Sequence, residues 1–550
     1  MSSRTSLIMV ALVSCIAGLS NAASAAGGTT LYVDDSVGLD GDGRSWATAF
    51  VFLQDALAAA QAGSGVSEIR IGQGTYRPDR SSGTPGGSGM LTASFHVVDG
   101  VAVRGGFAGV VAADPDVRNP HLHPTVLSGD LFGNDASGAA AGVPGLTDNA
   151  YHVISAGGLR EVTEWSGLIV TGGHFRPAGP GLGGAGLHLA DGHLILSDCT
   201  FVNNLNTALN VPNGGGGAIH VTNGNLELIR CVFDHNRTGY PSGSSLWNGG
   251  AVFADLSTVT VRDCLFRDNV GAHGGGLDLQ RSAADVRDSV FIDNLGGGGA
   301  MRVATSAEAT IVGCIFDGNR RLAGSSGAHG GTLYFTGTGG TTADGHLVDC
   351  VISNGEANRG GAIYTAGNVE LIVDQCVIHH CTANVGGAIA VWGGDVVVRQ
   401  STVADNVAQN ANGGGAGRTD AGTLTFTNSV VWGNLPQAFV QAYVTLPVEA
   451  SWCIVNGGWP GDVVMDVDPR FVDAATADYR LQKDSPAINA GNDDFIPPDT
   501  LDIDDDGDTD EALPLDLMGL ARIVDGSLRP ALTPLRTWLV DMGAHERPAP

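Results

Sequence analysis

Lysine is nearly missing from this chain. Of its 28 basic residues only Lys483 is a lysine, against 57 aspartates and glutamates, and the formal net charge is −29. Such a chain repels phosphate backbones, which excludes a nucleic-acid partner. Aromatic residues make up 6% and charged residues 15% of the 550 positions, so a core has to be built from Ala, Val, Leu and Ile. The hydrophobic content of 43% excludes a disordered chain. Past the N-terminus no apolar run approaches the roughly 18 residues of a membrane-spanning helix. No C-x-x-C pair and no Cys/His zinc spacing occurs. The central stretch also lacks a sustained helical period, which leaves strands.

What the chain has in excess is glycine, 83 residues, about twice the usual share. Glycine keeps step with a repeat. A cysteine or serine is followed two places on by an apolar residue and three places later by asparagine. The copies run Cys199-Thr200-Phe201 to Asn204, Cys231-Val232-Phe233 to Asn236, Cys264-Leu265-Phe266 to Asn269, Ser289-Val290-Phe291 to Asn294 and Cys314-Ile315-Phe316 to Asn319. Weaker copies begin at Cys350, Cys376, Ser401, Ser429 and Cys453. Gly216-Gly217-Ala218-Ile219, Gly249-Gly250-Ala251-Val252 and Gly386-Gly387-Ala388-Ile389 typify the opening of each unit, and short alternating runs such as Val259-Thr260-Val261 lie between. A unit of about 25 residues with three short strands cannot bury its apolar side alone; stacked in one direction, such units form a parallel β-solenoid. The asparagines are then expected to stack into a hydrogen-bonded ladder. The cysteines are expected to be buried, unpaired thiols. Ser289, Ser401 and Ser429 replace them, and parallel side chains on stacked strands stand farther apart than a disulfide prefers.

The ends differ from the centre. Arg4, the apolar run Leu7 to Ala17 and Ala23-Ser24-Ala25 read as a signal peptide over residues 1–25, giving a secreted or cell-surface protein. Leu12-Val13-Ser14-Cys15 offers a lipoprotein alternative with Cys15 as the lipidated terminus. Phe50, Leu53, Ala56, Leu57 and Ala60 have helical spacing, and a helix within Trp46 to Ala60 is expected to plug the first rung. From about residue 462 the repeat is lost and a second cap is expected.

Several segments carry a resemblance. They are Leu31-Tyr32-Val33-Asp34, Gly43-Arg44-Ser45-Trp46, Ile71-Gly72-Gln73-Gly74-Thr75-Tyr76-Arg77-Pro78, Val103-Arg104-Gly105-Gly106-Phe107 and Leu127-Ser128-Gly129-Asp130. Near the C-terminus come Asp484-Ser485-Pro486-Ala487-Ile488-Asn489-Ala490-Gly491 and Val540-Asp541-Met542-Gly543-Ala544-His545-Glu546. With the repeat between them, the chain resembles right-handed parallel β-helix proteins of the pectin lyase-like superfold. More narrowly it resembles bacterial exported proteins with polymorphic-outer-membrane-protein-like repeats and a choice-of-anchor Q C-terminal segment. The resemblance implies an all-β, right-handed, single-stranded parallel β-helix with an N-terminal helical cap and a C-terminal capping segment. The expected divisions are the signal at 1–25, cap and first rungs at 26–110, β-helix repeats at 111–461, and a C-terminal cap at 462–550. It implies no activity, since fold does not fix function. The family's variable anchor would follow Glu546; no dockerin, sorting tail or barrel is seen there, which points to free secretion or to the lipoprotein alternative.

Three places could carry chemistry. Asp502, Asp504, Asp506, Asp508 and Asp510 alternate around Gly507 as in a calcium loop, although Leu513 stands where the bidentate Glu belongs; a solvated acidic turn reads the same way. Asp40-Gly41-Asp42-Gly43 is a weaker echo. His220, Phe253, Asp278, Arg302, Tyr334 and Tyr364, with Trp392 near the end of the line, follow the inward openers of successive units. They would face outward as a stripe of rings and polar groups suited to an extended glycan, or as an ordinary surface with scattered aromatics. Asp263 and Asp288, and Asp268 and Asp293, hold equal turn positions in consecutive units. They could act as a glycosidase pair, or bind calcium with Arg262 or Arg287 as a lyase base, or be solvated turns. His235, His273, His379 and His380 form no triad. The expectation is a monomeric, non-catalytic surface protein contacting extracellular polysaccharide, with calcium as its one cofactor; the alternative is a polysaccharide lyase or glycoside hydrolase.

Overall fold

The structure, a computed structural model, describes residues 28–63, 65–136, 145–176, 183–208, 214–239, 248–322, 330–442, 447–503, 506–522 and 540–547. The expected signal segment and Cys15 lie outside these. The chain divides into two units: residues 1–285, 289–301 and 322–327, and residues 286–288, 302–321 and 328–550. Each is built of parallel strands stacked rung on rung into a β-helix. No helix among the described residues is long and apolar enough to cross a membrane.

In the first unit one rung holds strands Val252–Asp255, Thr258–Arg262 and Leu265–Arg267. Leu265–Arg267 lies between Val232–Asp234 and Val290–Ile292, all parallel, so Phe233, Phe266 and Phe291 stand in register. With Phe201 they form a stack of buried rings with centroids 5.3, 4.7 and 4.6 Å apart. Burying each ring contributes about 2–3 kcal/mol. Two left-handed corners flank this strand in each rung. One precedes the cysteine position, at Asp198, Arg230 and Asp263, and the other precedes the asparagine, at Asn203, His235, Asp268 and Asp293. Asp and Asn tolerate this conformation better than most residues, which explains their recurrence there. Past the second corner Asn204 Nδ2 donates to Asn236 Oδ1 at 3.0 Å, Asn236 to Asn269 at 3.1 Å and Asn269 to Asn294 at 3.0 Å. The eight described cysteines are buried and form no disulfide, and the amide of Cys264 donates to Ser289 Oγ at 3.1 Å, so serine continues the same row.

The N-terminal helix is Leu53–Ala62, with Leu53, Ala56, Leu57 and Ala60 buried. It starts later than expected. Ser45 caps a separate turn, Trp46–Thr48, and Phe50 bridges to Val33 in extended conformation.

The second unit repeats the pattern. Ile352, Ile378 and Val403 align in one sheet, Leu371, Val396 and Leu424 in another, and Asn406 donates to Asn434 at 3.0 Å. The parallel order ends where Cys453–Val455 pairs with Val464–Met465; the next pair, Phe471–Asp473 with Asp478–Leu481, is antiparallel. The two C-terminal signature segments meet here. The amide of Met542 donates to Ala487 O at 3.0 Å, that of Gly491 to Val540 O at 3.0 Å, and that of Asn489 to Asp541 Oδ1 at 2.7 Å. Met542 and Ala544 pack on Val377, Ala404 and Val430 of the rungs. Arg522, fully buried, joins Glu546 at 3.0 Å and also bonds Gln375. These signature residues close the rungs with backbone hydrogen bonds and apolar packing.

Candidate functional site

The stripe expected to face solvent does so only in part. In the first unit His220, Phe253 and Asp278 do align, one rung apart. All three are 0% exposed, so this part of the stripe is not an open face. The cause is the Gly-Gly opener, whose backbone folds back over the residue after the strand's first. A Cβ on Gly215 would stand 2.6 Å from the Phe253 ring, and one on Gly274 would stand 3.0 Å from Asp278 Cβ. Asp278 Oδ2 accepts the amide of Gly249 at 3.0 Å. In the second unit Arg302 is buried as well.

The stripe reaches the surface only at Tyr334 and Trp392, both half-buried; Tyr364, also expected to face outward, is 3% exposed beneath its neighbours. Tyr334 and Tyr364 are in register with ring centroids 5.2 Å apart, and their row continues through Ala390 to Arg418. Trp392 belongs two residues further along the strand, opposite Ala366, but on the same face. It flanks a groove of about 450 Å³ lined by Asn358, Arg359, Asn384, Val385, Asn410 and Arg418. The Arg359 guanidinium lies 4.2 Å from the Trp392 ring centre and that of Arg418 lies 5.6 Å away. Arg418 is held by Asp420 through Nε and Nη2 at 2.6 and 2.9 Å, which raises its pKa. Arg359 instead hydrogen-bonds Tyr364, whose phenol is pushed up mainly by burial. Asn384 Nδ2 donates to Asn358 Oδ1 at 2.9 Å, and the amide of Asn410 donates to Asn384 O at 3.0 Å, so these asparagines form a second row. The in-plane donors of Arg418 are taken up by Asp420 and, through Nη1, by Asn412 O at 2.9 Å. A guanidinium stacked by its face, as at Arg359, can still donate in its plane, and rows of amides at rung spacing offer donors and acceptors to a chain of hydroxyls. Arg359, Arg418, Asn358, Asn384 and Asn410 did not emerge from the sequence; the 26-residue recurrence of Asn358 and Asn384 is a signal that could have found the asparagines, and none marks the arginines.

The aspartates sit elsewhere. Asp263 and Asp288 are exposed at left-handed corners, φ 53° and 50°. In the first unit Asp268 and Asp293 occupy consecutive second corners, and Asp268 Oδ2 lies 3.8 Å from Arg267 Nε. Neighbouring carboxylates are tied to arginines, Asp198 to Arg230 at 2.7 Å and Asp234 to Arg267 at 2.6 Å. The only described group of three side chains whose ligating atoms lie within 4.8 Å of one another is Asp234, His235 and Asp268.

In the acidic segment Asp504 lies outside the described residues. Asp502, Asp506 and Asp508 accept the amides of Gly507, Asp508 and Asp510 at 3.1, 2.8 and 3.0 Å. Near the N-terminus Asp40 accepts the amide of Val51 at 2.8 Å and Asp42 the hydroxyl of Thr48 at 2.7 Å, closing that loop.

Compared with known families, residues 166–348 match the model described as a right handed beta helix region. A search of curated proteins gives no match. The matched stretch holds the ring stack and asparagine ladder of the first unit and stops short of Trp392.

Proposed function

We propose that this β-helix is an exported protein that holds an extended polysaccharide in the groove beside Trp392 without cleaving it. A parallel β-helix fits a surface or polysaccharide-related protein. The observation that supports the finer reading is the groove itself, in which an indole, stacked guanidinium groups and a row of asparagine amides converge. Sugars present alternating apolar faces and hydroxyl edges, and these residue types complement both. The protein is a secreted or surface-held monomer in this reading, and calcium at Asp502, Asp504, Asp506, Asp508 and Asp510 is a further proposal. Isothermal titration should register that calcium, and Asp506→Asn should weaken it.

Affinity electrophoresis against a polysaccharide panel, alongside reducing-sugar and unsaturated-uronate assays, tests the reading. Retarded migration that Trp392→Ala and Arg359→Ala abolish, with no turnover, is expected. Turnover that Asp263→Asn or Asp268→Asn removes supports a lyase or hydrolase instead.

A further inference from the structure

The second corner of the rung does more in the second unit than turn the chain. Along a strand neighbouring side chains point to opposite faces. At His380 the backbone is left-handed, φ 54°, and its ring swings beside that of His379. The two Nδ1 atoms are 2.8 Å apart and the rings stand at 86°. Tyr479, from the antiparallel pair after the last rung, closes the third side. Its Oη lies 3.5 Å from His380 Nδ1 and donates to Asp405 Oδ2 at 2.9 Å, and its ring centroid is 5.3 Å from that of His379.

We propose that His379 Nδ1, His380 Nδ1 and Tyr479 Oη form a binding site for a divalent copper ion, with solvent as the fourth ligand. Metal–nitrogen bonds of about 2.0 Å put neighbouring ligands of a square-planar site about 2.8 Å apart, and those of a tetrahedral site about 3.3 Å apart. The two imidazole nitrogens, 2.8 Å apart, fit neighbouring positions of the square-planar arrangement that divalent copper prefers, whereas Tyr479 Oη, 3.5 Å from His380 Nδ1, has to move in by about 0.7 Å to complete it; imidazole and phenolate suit that ion. Without metal one imidazole donates to the other; with metal both lone pairs face the ion. The phenol proton leaves through Asp405 to solvent as the oxygen binds, and no electron is transferred. His380 is exposed, which gives the ion a way in. The matching corner of the first unit shows the contrast. There Asp234, His235 and Asp268 also converge, but Arg267 already lies 2.6 Å from Asp234 and 3.8 Å from Asp268, supplying the positive charge an ion would bring.

The test is titration of the full chain with copper(II), followed by electron paramagnetic resonance and visible absorption. One tightly bound equivalent with nitrogen hyperfine structure and a phenolate-to-copper band is expected. His380→Gln, at an exposed position, should weaken binding on the order of tenfold or more. Tyr479→Phe should keep the nitrogen signal and lose the visible band, and His235→Gln should change neither. The proposal is overturned if no copper binds, if His380→Gln leaves the affinity unchanged, or if the wild-type complex has no band that Tyr479→Phe removes.

Discussion

The rungs around Phe266 and those around Trp392 repeat the same inward pattern and differ on the outside. In the first unit Arg230 and Arg267 each meet a carboxylate one rung away, at 2.7 and 2.6 Å. In the second unit Arg359 lies on the Trp392 indole and hydrogen-bonds the Tyr364 phenol, matched to no carboxylate among the described residues. The repeat constrains what points inward, because one wrong side chain there disturbs the rungs above and below. It leaves the outer positions free, and those decide whether a rung cancels its own charge or offers it to a ligand.

The largest effect should come from the shared interior. Phe266→Ala removes the middle of the ring stack and should cost about 3–5 kcal/mol, read as a lowered denaturation midpoint. A change below about 1 kcal/mol would mean that the stack is not the core. Asn269→Ala breaks the ladder on both sides, leaving buried polar groups of Asn236 and Asn294 without this partner, and should cost about 2–3 kcal/mol.

Acidity should separate the two units. Burial pushes His174 and His188 in the first unit, and His379 and His545 in the second, down to about 4. Unfolded histidine titrates near 6.5, so the stability these groups contribute is complete above that pH and is lost as the pH falls through 4. The second unit also has Glu546 pushed up to about 8, first by burial and then by Asp541, and Asp349 pushed up to about 7 by burial. Raised carboxyls act the other way: their contribution is complete below the unfolded values, 3.8 for Asp349 and 4.5 for Glu546, and is lost as the pH rises through about 7 and about 8. Hydrogen exchange of the rung amides from pH 5 to 9 should therefore show the second unit loosening toward alkali, and Glu546→Gln should remove part of that loss. Equal alkaline loss with Glu546→Gln would remove that carboxyl from the explanation. The smallest effect is expected at Arg267→Ala, within about 1 kcal/mol in denaturant titration, because the pair with Asp234 is half exposed.

Much of the interior was legible because it repeats. The cysteine, phenylalanine and asparagine positions each recur once per rung, so a buried thiol row and an amide ladder follow from spacing alone. The outer face was misread where spacing is silent about what lies above a strand. His220, Phe253 and Asp278 alternate with inward residues, yet the Gly-Gly backbone covers them. Trp392 sits two places beyond the expected row because the residue in register with Tyr364 is Ala390. The groove and the paired rings of His379 and His380 depend on corner geometry, and a corner leaves only a faint trace in sequence, an Asn, Asp or His at the turn.

Hydrogen exchange footprinting with bound polysaccharide tests the central claim most directly. The account predicts added protection at Glu356–Arg359, Thr382–Val385 and Ile389–Trp392, with none at Val232–Asp234 or Leu265–Arg267. Protection centred on the Asp234 and Arg267 corner, with the Trp392 rungs unchanged, would contradict it.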